Sequence, residues 1–129
     1  MPHRHEDWLA QARHDLKAAN NSLTSQDYEW SSFQSQQCAE KALKALLRYR
    51  KKEMRGHDLP DLIEVVSHFV QVPNRVKLAC EKLDAQYFRP RYPDSITDGY
   101  PAEFYDEAIA KECVQNAETV LAFVEANIS

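Results

Sequence analysis

Glycine is nearly missing from this chain, with two in 129 residues. Tight hairpin turns depend on glycine, whereas helix interiors tolerate it poorly, so the scarcity excludes a turn-rich β fold and points to helices. No apolar run approaches the roughly 20 residues of a membrane span, and the N-terminus lacks the apolar core of a signal peptide. Three cysteines, Cys38, Cys80 and Cys113, are an odd number without a CxxC pair. That pattern argues against a disulfide framework or a zinc site and suits a reducing cytoplasm, the expected location. There is no GxGxxG, no GKS/T phosphate loop, no HExxH and no GxSxG, so no bound cofactor is expected. His3, His5 and His14 are the nearest approach to a metal cluster, and their place at a terminus argues against one, so no metal is expected. Without repeats, low-complexity tracts or a second composition, residues 1–129 read as one domain.

What is present is helical periodicity. Trp8, Leu9, Ala12, Leu16, Ala19 and Leu23 predict a helix over about 6–23. Ala39, Leu43, Leu46 and Leu47 mark the apolar stripe of a second, over about 28–51, with Trp30 and Phe33 widening its apolar surface and Gly56 breaking it. A third, over about 59–69, has Asp58 as N-cap and Pro60 in its first turn. A fourth carries Val76, Ala79, Cys80 and Leu83 to about residue 87. The last, over about 103–127, carries Ala110, Val114, Ala117, Leu121 and Val124. Short connections predict antiparallel neighbours. The expected fold is all-α, an antiparallel up-and-down bundle of four long helices plus a short fifth. Between the last two helices, residues 89–101 hold three prolines and a glycine, and form a stiff loop.

Charge is unevenly spread. Lys41, Lys44, Arg48, Arg50, Lys51, Lys52 and Arg55 are seven of 16 basic residues, and Glu53 is the one acid among them. From Asp94 to Ser129, eight acids face Lys111 alone. Gln37, Lys41, Lys44 and Arg48 fall at i, i+4, i+7 and i+11, one stripe of the second helix. Such a stripe is either a phosphate-binding face or a solvated face neutralised by the acidic last helix. His57, at a junction between helices, is a base or phosphate donor, or a cap on the last carbonyls of the second helix. In the loop, Arg89 and Arg91 can clamp a phosphate while Tyr92 stacks on a base. In the alternative, an Arg pairs with an acid and Tyr92 packs beneath the loop.

Several blocks together carry a resemblance. They are Trp8-Leu-x-x-Ala12-x-x-Asp15-Leu16, Tyr28-x-Trp30-x-x-Phe33, Gln36-Gln37-x-Ala39-Glu40-Lys41-Ala42-Leu43-Lys44-Ala45-Leu46, His57-Asp58-Leu59 and Arg91-Tyr92-Pro93-Asp94. In this order they resemble the HEPN domain (higher eukaryotes and prokaryotes nucleotide-binding), in its stand-alone prokaryotic form, from Trp8 to about Val124. The resemblance implies a homodimer with a charged groove near its interface, and a partner nucleotidyltransferase of the MNT type in a toxin–antitoxin-like pair. It implies binding of a nucleotide or RNA phosphate by Gln37, Lys41, Lys44, Arg48, Arg89, Arg91 and Tyr92. Some members of the family are metal-independent ribonucleases with an Arg-x(4–6)-His motif on a late helix. Here the late helices lack that motif. Arg50 and His57 have the spacing, with six residues between them, but at the end of the second helix and its following junction. They are the catalytic candidates if the chain is a ribonuclease toxin. A third alternative is a non-catalytic adaptor.

Overall fold

The structure, a computed structural model, describes residues 4–128. Among them are six α-helices and no strand: α1 (His5–Thr24), α2 (Tyr28–Tyr49), α3 (Leu59–Val66), α4 (Asn74–Asp84), α5 (Pro101–Phe104) and α6 (Glu107–Ala126). The fold is all-α, as expected. Helices α1, α2 and α6 have 20, 22 and 20 residues, and the 11-residue α4 completes the bundle. The short helix is α3, and α5 is a single turn.

Helix α2 is the central member, packed against α1, α3, α4 and α6. From Cys38 to Leu47 every residue except Lys41 is buried. A helix surrounded on so many sides needs more than one apolar stripe. Its core side chains Leu43, Leu46 and Leu47 meet Leu9 and Ala12 of α1 and Val120 and Val124 of α6 in one cluster. The α1–α2 pair is antiparallel, because Ala19, Asp15 and Trp8 of α1 meet Ser31, Lys41 and Arg48 of α2. The α4–α6 pair runs the same way, with Lys82 bonded to Glu112 and the hydroxyl of Tyr105 donating to Gln86. Each buried side-chain nitrogen or oxygen among the described residues has a hydrogen-bond partner.

The structure departs from the expected boundaries at several points: α3 stops at Val66 rather than about residue 69, and α4 at Asp84 rather than about residue 87. Helix α2 stops at Tyr49, two residues before the expected end, and Lys51 takes a left-handed φ of 62° just beyond it. Gly56, at φ 97°, instead turns the chain into His57 and Asp58. The expected last helix is two elements, α5 and α6, because Tyr105 is extended and Asp106 caps α6 by accepting from Ile109 N–H at 2.9 Å. Trp30, read as widening the apolar surface of α2, is 46% exposed. Asp58 caps α3 as the sequence indicates, accepting from Asp61 N–H at 3.0 Å.

Asp84 anchors the start of α3 to the end of α4 by accepting from Leu59 N–H at 3.0 Å. Burial pushes its carboxyl pKa above the usual value, the bond from Leu59 opposes that, and Asp58 and Asp61 add to the rise. Its contribution to stability is therefore full below about pH 4 and is lost as pH rises through the raised value. Asp84→Asn keeps an oxygen for Leu59 N–H and removes the charge. Its melting midpoint, relative to the parent, is expected to be higher near pH 7 and to converge with it below about pH 4.

Candidate functional site

The site grows from one turn of α2. Glu40, 4% exposed, lies between Gln36 and Lys44 on the same helical row. Its carboxylate accepts from Lys44 Nζ at 3.0 Å and from Gln36 Nε2 at 3.2 Å. Gln37 Nε2 donates to Gln36 Oε1 at 2.8 Å and reaches Glu40 Oε1 at 3.5 Å. From the junction after α2, His57 Nδ1 approaches both Glu40 oxygens, at 3.0 and 3.2 Å. A buried carboxylate is tolerable when cations and donors surround it in this way.

His57 is held on two sides. Its ring stacks on Tyr87, with centroids 4.0 Å apart and planes 15° from parallel. Tyr87 also carries Arg91, whose guanidinium lies 4.6 Å from its centroid and 4.3 Å from that of Phe33, while Nε donates to Tyr87 O at 2.7 Å. With Nδ1–H donated to Glu40, the unprotonated acceptor of a neutral imidazole is Nε2. The side chain is 49% exposed, so this ring is accessible from outside. His57 therefore serves neither as a cap on α2 nor as a buried structural group.

Beyond Lys44 the network reaches α1. Lys44 Nζ is 5.7 Å and the Arg48 guanidinium 4.9 Å from the Trp8 ring centroid. Lys41 pairs with Asp15 at 2.7 Å and Arg48 with Glu53 at 3.6 Å. The partners of the stripe are thus on α1, on α2 and in the junction. The acidic α6 neutralises other residues, Arg13 through Glu125 and Lys82 through Glu112. Along the α1/α2 seam two adjoining hollows, of about 640 and 350 Å³, share Arg4 and Asp7; Arg48 and Lys51 line the first, Trp8 and Lys41 the second.

The structure brings Gln37, Lys44, His57 and Arg91 into one chain of contacts, linked by Glu40 and Tyr87. Tyr92 joins its edge, 5.2 Å from the Arg91 guanidinium, and stacks on Phe88. Arg89 lies over Phe104 at 4.7 Å, outside that chain of contacts, and lines a cleft with His57 and Tyr87. Arg50 is not brought to His57; its guanidinium donates to Phe69 O and lies over the Phe69 ring. It stands about ten residues beyond Glu40, roughly 15 Å along the helix axis. His3 lies outside the described residues, and His5 packs edge-on against Tyr49. Sequence reasoning missed Glu40 and Tyr87. The i, i+4 pairs of Glu40 with Gln36 and Lys44 were a signal for the first; nothing local marks the second. The cysteines supply no nucleophile: burial pushes the Cys38 and Cys80 thiols to about 12 and Cys113 to about 11.

A family model for the HEPN domain matches residues 5–127. The chain belongs to the HEPN domain family. A protein of Methanocaldococcus jannaschii named "Putative toxin MJ1304" is 29% identical over 127 residues, 92% of this chain and 84% of that protein. The crystal structure of TT1696 from Thermus thermophilus is 41% identical, with a TM-score of 0.94 over 98% of this chain and 99% of that one. ST0689, described as an archaeal HEPN homologue, is 39% identical with a TM-score of 0.83 over 98% of each chain. The blocks that carry the HEPN resemblance also supply the network: Glu40 and Lys44 from one, His57 from another, Arg91 from a third.

Removing the carboxylate leaves Lys44, 8% exposed, and the two glutamines without their common acceptor. Glu40→Ala is expected to cost about 3–5 kcal/mol, measured by denaturant unfolding at fixed protein concentration.

Proposed function

We propose that this HEPN protein is a homodimer that binds the phosphate of a nucleotide or RNA and partners an MNT-type nucleotidyltransferase in a toxin–antitoxin-like pair. The observation that carries the reading is the continuous network from Trp8 through Lys44, Glu40, His57 and Tyr87 to Arg91. It joins two groups of cations that the sequence keeps far apart. Lys41 and Arg48 offer charge along the α1/α2 seam, with Lys44 set beneath them. Arg89, Arg91 and Tyr92 offer guanidinium and ring from the loop. Gln37 adds an amide near the middle. The relative named as a toxin supports the toxin–antitoxin setting.

A ligand that binds only the folded form raises its melting midpoint by mass action. Melting of the protein with ATP, GTP or a short RNA, in EDTA, is expected to show a rise of several degrees at low salt that shrinks at high salt. Arg48→Glu with Arg91→Ala removes the rise. A rise indifferent to salt, or none with any ligand, defeats the phosphate assignment.

One observation favours a second reading, a metal-independent ribonuclease. A carboxylate that holds Nδ1 of an accessible histidine leaves Nε2 for proton transfer. In this reading the 2′-hydroxyl of RNA attacks the adjacent phosphate, the bond from phosphorus to the 5′-oxygen breaks and a 2′,3′-cyclic phosphate forms; His57 takes the hydroxyl's proton, water supplies one to the leaving oxygen, and Arg91 steadies the developing charge. It predicts RNA cleavage in EDTA that His57→Ala lowers by at least about 100-fold. RNA left intact after long incubation removes it.

A further inference from the structure

The Tyr87 end of the network opens into a cleft of about 530 Å³. Its lining joins His57 and Tyr87 to Asp58, Asp84, Phe88, Arg89 and Asp94. Three carboxylates against one guanidinium make the cleft negative, which keeps a phosphate out of it. A neutral nucleobase meets no such barrier.

The charged groups of the cleft are not equivalent. Asp58 accepts from Asp61 N–H and Asp84 from Leu59 N–H, each at 3.0 Å, so both are engaged in holding backbone. Asp94 and Arg89 are exposed, and neither enters an ion pair among the described residues, with the other or with any third group. A carboxylate and a guanidinium that share a cleft without pairing suit a ligand with a donor edge and an acceptor edge. Among the four RNA bases, guanine alone presents two adjacent donors, N1–H and its 2-amino group, together with two adjacent acceptors, O6 and N7. A carboxylate takes the first pair and a guanidinium the second, each in bidentate fashion. Adenine offers only its amino group and sets it where guanine has O6, so it satisfies neither pair. Phe88 supplies a stacking surface: it lines the cleft, is 51% exposed and is stacked at 5.1 Å on Tyr92. Tyr87 ties the cleft to the phosphate side, since it lines the cleft and carries the Arg91 guanidinium 4.6 Å from its centroid. A phosphate held by Arg91 is thus one ring away from the cleft.

We infer that this cleft is a base pocket selective for guanine, with Asp94 accepting from N1–H and the 2-amino group, Arg89 donating to O6 and N7, and Phe88 stacking on the base. This rests on the phosphate reading above and names the base; within it Arg89 serves the base rather than the phosphate. The test is calorimetric titration of the full chain at low salt, in EDTA, with GTP, with ATP and with ITP, which lacks the 2-amino group. GTP is expected to bind at least about tenfold more tightly than ATP, with ITP between them. Asp94→Asn is expected to bring GTP down to the level of ATP while ATP binds no more weakly; loss of a negative charge by itself strengthens all three. Arg89→Met is expected to erase the same preference. Melting without nucleotide checks that both exposed changes leave the fold intact. Equal affinity for the three nucleotides keeps the phosphate reading and discards the base pocket. No binding of any of them defeats both. A preference for GTP that survives both variants places the base elsewhere and also overturns the inference.

Discussion

A carboxylate buried at the centre of the most enclosed helix is a constraint that the neighbouring elements must meet. Glu40 cannot reach bulk water, so its charge requires donors from wherever the fold can bring them. Lys44 and Gln36 come from the same helix, one turn away in each direction. His57 must come from outside it, and that requirement ties the junction after α2 to the middle of the helix. Gln36 secures the same junction through His57 O, at 3.4 Å. The polar centre of the bundle therefore organises the path of the chain between α2 and α3, while the surrounding apolar cluster organises the helices themselves.

Electrostatics divide this surface into two regions. On one side of Glu40 the cations of α2 run beneath and beside Trp8, within reach of the α1/α2 seam. On the other, His57 and Tyr87 line a cleft with Asp58, Asp84, Asp94 and Arg89. The network joins them through a stacked ring pair and a buried ion pair, both stiff.

Much of the fold was legible in the sequence because burial and capping are local signals. The inward residues of α4 and α6 follow the period, and every one named from it is buried. The α3 start was readable from Asp58 and Pro60, since a cap acts within three residues. Trp30 stays exposed because periodicity reports which face a residue occupies, not whether another element covers that face. The break at Tyr105 was missed because Val114, Ala117 and Leu121 continue the helical period past a cap that lies inside the expected helix.

The sequence alone determined that this chain is helical, which faces are apolar, that it carries the blocks of a HEPN domain, and that its positive charge gathers between Lys41 and Arg55. Those properties depend on residue type and short spacing. Only the tertiary structure decided which partner each charge takes. It turned Lys44 inward to Glu40, gave Lys41 to Asp15, set His57 on Tyr87, and kept Arg50 away from both. An ion pair between residues 26 positions apart, or a ring stack across 30, depends on the packing of whole helices, and no local spacing encodes that.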